Sequence, residues 1–105
     1  MKQQYDYEIV VDSQLGPRHG KLSVEETDDV ISGFLSLLGF ENSVTGKREG
    51  KILCLHHKLR TLISQLTCQT NLELQENSLV GTIHSEFGSM KIHGQKKAGT
   101  EHTSA

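Results

Sequence analysis

Apolar and polar residues alternate one for one in short stretches of this chain, and turn-forming residues break the alternation at intervals. Successive side chains of a strand point to opposite faces, so a period of two gives each stretch one apolar and one polar face. Tyr5, Tyr7, Ile9 and Val11 alternate with Asp6, Glu8, Val10 and Asp12, and the odd positions are expected to face a core. The same pattern predicts strands over residues 21–26, 30–38, 43–47, 51–59, 62–74, 78–84 and 89–94. Turns are expected over 15–20, 27–29, 39–42, 48–50 and 75–77 and at Phe87-Gly88, where Gly, Pro, Asn and Asp supply turn conformations. One stretch has a rival reading. Leu35, Leu37 and Leu38 also fit a helical stripe, with Glu25, Glu26, Asp28 and Asp29 suited to a helix N-terminus. Gly33 and its Ser neighbours are weak helix formers and favour the strand.

A chain of 105 residues supports one core and not two. With no Trp and few other aromatics, that core must be built of Leu, Ile and Val. Consecutive antiparallel strands can bury one face by forming a sandwich or by closing into a barrel, and closure also removes exposed edges. The expectation is an all-β fold: an antiparallel meander of about eight strands closing into a small barrel over residues 1–95, followed by a disordered tail over 96–105. Ile9, Val11, Leu22, Val24, Ile31, Leu35, Leu53, Leu55, Leu72, Leu74, Leu79, Ile83, Met90 and Ile92 should point inward. The barrel should consist of two related four-strand halves. One fixed offset lays Ile31 on Leu79, Gly33 on Gly81, Leu35 on Ile83, Val44 on Ile92 and Gly46 on Gly94, and carries Ile9 onto His57. Leu22 and Val24 align with Leu72 and Leu74 at an offset two residues longer.

Charge and cysteine content exclude several functions. A formal net charge of −2 offers no basic field for a phosphate backbone, so nucleic acid is not an expected partner. No run approaches the ~20 apolar residues of a membrane span, and the first residues carry no apolar leader, so no membrane association and a cytoplasmic location are expected. Cys54 and Cys68 fit neither a redox pair nor a zinc pattern and are expected as reduced thiols.

Candidate chemistry is sparse. Cys54 and His56 share a strand face but lack two further metal ligands, and a Cys–His nucleophile would need an orienting group that the sequence does not identify. No catalytic residue, metal site or cofactor is expected. His57 falls on a face otherwise lined by Leu53, Leu55 and Leu59, so it either turns to solvent at a bulge or sits inside as a polar group. In the second case His57, Tyr7 and Leu55 are the candidate ligand contacts for a small apolar molecule. The alternative function is a homodimer, assembled on the apolar cluster Leu37, Leu38 and Phe40 with Phe34 and Val10 on the outer face.

The segment Asp12-Ser13-Gln14-Leu15-Gly16-Pro17-Arg18-His19-Gly20-Lys21-Leu22-Ser23-Val24, followed by Val30-Ile31-Ser32-Gly33-Phe34-Leu35, resembles the small lipocalin-like, calycin-type β-barrel domains of bacteria. The resemblance covers about residues 5–95. It implies a small barrel of a kind that occurs alone or attached to redox enzymes and mostly has no assigned activity, and it carries no catalytic residues over to this chain.

Overall fold

A computed structural model describes residues 2–97. It contains β1 (Lys2–Ser13), β2 (Gly16–Thr27), β3 (Val30–Leu37), β4 (Phe40–Glu49), β5 (Ile52–Arg60), β6 (Gln65–Leu74), β7 (Ser78–Ser85) and β8 (Gly88–Lys96). The strands pair in sequence order, and β8 pairs back to β1 from Tyr7↔Lys96 to Asp12↔Lys91, closing an antiparallel eight-stranded barrel. This is the architecture expected of a calycin-like barrel. The stretch open to a helical reading is strand β3, with Ile31, Leu35 and Leu37 buried inside.

Several boundaries move outward from those expected. The first turn is only Gln14-Leu15; Gly16 to Gly20 belong to β2, and Pro17 lies where β2 pairs with β1 alone, so its missing N–H interrupts no ladder on the other side. Phe40 to Asn42 start β4, and Arg48 and Glu49 end it. One boundary moves the other way: residues 62–64, expected at the start of a strand, belong to the loop 61–64 before β6. Strand β8 runs through Lys96, and the Lys97 N–H donates to the Asp6 carbonyl (2.9 Å), so Lys96 and Lys97 are not part of a tail. Cross-strand pairing to β1 orders them despite their polarity. The rest of the expected tail, residues 98–105, lies outside the described residues.

The inward set is buried as expected, apart from Met90, which is partly buried against the core. Tyr7, Leu37, Val44, Leu59 and Cys68 join it. The two halves superimpose in register at one offset through three strand pairs: Tyr7↔Leu22 becomes Leu55↔Thr70, Leu22↔Leu35 becomes Thr70↔Ile83, and Gly33↔Val44 becomes Gly81↔Ile92, whereas the closing pair of β8 with β1 is shifted by two residues from its counterpart Val44↔His57, since Ile92 pairs with Val11 and not with Ile9. The longer offset at Leu22 is thereby corrected. It matched Leu to Leu, whereas the position equivalent to Leu22 holds the polar Thr70.

At Gly33, Gly46 and Gly81 the neighbouring strand's backbone comes too close for any side chain. A Cβ on Gly46 would fall on the Cys54 carbonyl oxygen, and one on Gly81 would fall on that of Asn71. Only a residue without a side chain lets neighbouring backbones approach this closely, which is how a sheet curls into a narrow barrel.

Candidate functional site

The three candidate ligand contacts all point into the barrel, but they do not converge. Leu55 and His57 are adjacent inward positions of β5, while Tyr7 lies on β1, four strands away around a closed ring of eight and hence on the opposite wall. A ligand-sized void would leave its lining side chains open to water-sized molecules. Instead every buried apolar residue except Leu74 is 3 % exposed or less, and Leu79 and Ile83 are fully covered. Side chains fill the space between the walls, as in the smallest barrels.

The polar groups within this interior satisfy one another. His57 is 6 % exposed and keeps its inward register with no bulge. Its Nδ1 lies 2.9 Å from the Lys58 carbonyl and its Nε2 lies 2.7 Å from the Thr70 hydroxyl. A carbonyl only accepts, so Nδ1 carries the proton, and Nε2 of the neutral ring accepts from the Thr70 O–H. Burial pushes the imidazole pKa below its usual value; the Lys58 carbonyl opposes this, and neighbouring His56 adds to it. Burial likewise pushes the Tyr7 phenol up, with Tyr5 adding and Arg48 opposing. The Cys68 thiol also rises through burial, and Glu86 adds to that rise while Lys58 opposes it, the reverse of what a nucleophilic cysteine needs.

Asn42, expected in a turn, is a buried clamp. Strands β4 and β5 are in register only from Val44↔His57 to Glu49↔Ile52, and beyond Val44 the Asn42 side chain bridges the gap. Its Nδ2 donates to the Leu35 carbonyl (3.1 Å) and its Oδ1 accepts from the Arg60 N–H (3.0 Å). Sequence reasoning missed both Asn42 and Thr70. The signal available for Thr70 was the demand of a buried imidazole for a partner on the neighbouring strand.

One mouth of the barrel is closed by a polar plug. Arg48 Nη1 donates to Glu26 Oε1 (2.8 Å) and to the Tyr5 hydroxyl (3.2 Å), and its Nε donates to the Gly50 carbonyl (2.8 Å). Arg48 and Glu26 are both partly buried, so this pair is worth more than an exposed one.

Outside, Cys54 and His56 are exposed side by side on β5, and Cys54 donates to Asn71 Oδ1 (3.3 Å). Among the described residues no group of three His, Cys, Asp or Glu side chains is placed to hold a metal ion. An open groove of about 470 Å³ crosses the outer face of β5 to β8, between Ile52, Glu73, Val80, Thr82, His84 and His93. The apolar cluster expected to drive dimerisation is split by the fold. Leu37 belongs to the core, Phe40 is half-buried with the Arg60 guanidinium 5.5 Å from its ring centre, and only Leu38 and Phe34 stay exposed. Comparison of the chain with protein-family models, curated proteins and solved structures finds no match.

Proposed function

We propose that this chain is a non-catalytic binding module of the small lipocalin-like kind that its sequence resembles, and that it meets its partner with the outside of the barrel. The observation that carries this reading is the division of apolar side chains: the interior is packed, while Leu15, Val30, Phe34, Leu38, Ile52, Leu62, Ile63, Val80 and Phe87 remain exposed outside. A ligand held as lipocalins hold theirs needs a cavity on the order of 300–1,000 Å³ lined by accessible side chains. Here His57, Tyr7 and Leu55 are walled in by their neighbours. Their polar atoms serve internal structure, and the Cys54 thiol, exposed beside His56, donates to Asn71 Oδ1. A docking role beside a redox enzyme, which the resemblance implies, fits an outward-facing binder.

Thermal unfolding in the presence of excess fatty acids, flavins or haem tests the reading. A ligand that binds only the folded state raises Tm with its concentration. No rise is expected here. A concentration-dependent rise, accompanied by shifts in the methyl resonances of Leu55 and Leu72, would place a ligand inside the barrel and overturn the proposal.

A further inference from the structure

The two halves of the chain carry opposite charge. Strands β1–β4 form one side of the ring and β5–β8 the other, so the two halves are also two opposed walls. On the outer face of the first wall Asp6, Glu8, Asp12, Glu25, Glu41 and Glu49 stand against Lys21 and Lys47. On that of the second Lys58, Arg60 and Lys91 stand against Glu73. Including the turns and the barrel mouths does not reverse the contrast. Residues 2–50 hold nine acidic and five basic side chains, and residues 51–97 hold three acidic and six basic ones.

The repeat puts a knob on one wall and a hole on the other. Phe34 pairs with Ser23 and Ser43, and one repeat further on the same places of β6, β7 and β8 hold Asn71, Thr82 and Lys91. Phe34 is 48 % exposed, with Ser32 and Ser36 beside it on its own strand, so its ring stands out from a bed of four serines. Thr82 brings no ring to the equivalent place, and the groove of about 470 Å³ opens over it. Ile52 and Val80, 41 and 40 % exposed, line one stretch of that groove, and Lys91, His84 and His93 line others. An aromatic ring gains from both: from burial against the apolar pair, and from the Lys91 ammonium over its face.

A wall of net positive charge with a groove for a ring calls for a partner that is acidic and presents an aromatic side chain. The first wall of this same chain is such a surface. Opposite charge on two apposed faces steers them together and decides which faces meet, while two acidic or two basic walls repel. Geometry then limits the form of the assembly. Phe34 lies on β3 and the groove over β7, four strands apart in a ring of eight, so the two point in opposite directions. A two-fold interface uses the same patch on both copies and therefore engages no knob with a groove here. The contact is head-to-tail: each copy fills one groove and offers its own to the next.

We propose that Phe34 of one copy seats in the groove over Thr82 of the next, so that the barrel associates with itself in a row, acidic wall against basic wall. This rests on the reading of an outward-binding barrel and names its partner as a second copy of the chain. It moves the self-association expected from the sequence away from Leu37, Leu38 and Phe40, keeps Phe34, and replaces a closed homodimer with an open row.

Sedimentation velocity on the full chain, from about 10 to 500 μM in dilute salt, tests it. Wild-type protein should form species larger than a dimer that grow with concentration and dissociate at about 1 M NaCl, where charges are screened within ~3 Å. Phe34→Ser removes the knob and leaves the groove, whereas Thr82→Glu leaves the knob and puts a carboxylate in the groove against the acidic wall. Each alone should weaken self-association at least ~10-fold with thermal unfolding unchanged, because both positions face outward. Mixed, the two variants should form a one-to-one dimer that grows no further, since one supplies the remaining knob and the other the remaining groove. Wild-type protein that stays monomeric over the whole range overturns the proposal, as does association that both variants retain. A mixture that stays monomeric overturns it too, because Phe34 then seats elsewhere. Monomeric wild type whose Thr82 and Val80 resonances shift with polyglutamate assigns the groove to a different acidic partner and overturns the second copy equally. The Tm test above, run on the Phe34→Ser variant, reads the interior alone, so failure of the self-association and failure of the outward-binding reading are distinguishable.

Discussion

His57 and Thr70 occupy the places that Ile9 and Leu22 hold in the other half, so one half carries an apolar pair where the other carries a hydrogen-bonded one. Removing one member of a buried polar pair strands the other and costs about 1–3 kcal/mol, whereas replacing both by apolar groups of similar shape is close to neutral. His57→Ile or Thr70→Leu alone should therefore destabilise the barrel by roughly that amount, and the double variant should recover most of the loss in urea melts. The pair also sets a pH response. Burial depresses the His57 pKa in the folded state, so the unfolded chain takes up a proton more readily. Stability is complete above about pH 6.5, the unfolded value, and falls as pH drops through the folded pKa. Unfolding free energies measured from pH 7.5 downward should decline more steeply for wild type than for the double variant. Equal slopes would mean that His57 is not the group responsible.

Among the elements, the turns show most plainly what the sequence could disclose. Thr27-Asp28-Asp29-Val30 was readable because Asp tolerates positive φ, and both Asp28 and Asp29 adopt it. Leu38-Gly39 was not, because Leu is a poor guide to a left-handed position, and the turn was placed to take in the first three residues of β4 while missing Leu38. Relieving the strain of a left-handed Leu should stabilise the hairpin. Leu38→Asn is expected to add about 1 kcal/mol, which for a domain of this size raises Tm by roughly 4–8 °C. An unchanged or lower Tm would show that Leu38 contributes packing that offsets its strain. The strands themselves were legible because alternation dictates which face is buried. Thr70 and Asn42 were not, because polar residues inside a barrel look like solvent-facing ones until the register is known. The candidate contacts were found on the correct face, but alternation carries no information about whether that face surrounds a space or a packed core.

At the scale of the molecule, packing and register make one joint prediction. Ile83 is fully covered inside the barrel, and Thr82 beside it points outward. Ile83→Ala should cost about 2–5 kcal/mol in urea melts, against roughly 0.5 or less for Thr82→Ala. Comparable losses at the two positions would contradict the side-chain alternation from which the core is built. The pairing of β8 with β1 has a further consequence, for the route by which the chain folds. Hairpins such as β1 with β2 need only residues close in sequence and can form early and fast. The seam between Tyr7 and Lys96 joins nearly the whole length of the described chain, and its contacts repay the entropy of ordering that chain only once β8 is in place. Until then β1 and β7 are bare edges, each able to capture a strand from another molecule. As the chain leaves the ribosome, the seven earlier strands wait in that condition, and the last strand to be made is the one that ends their exposure.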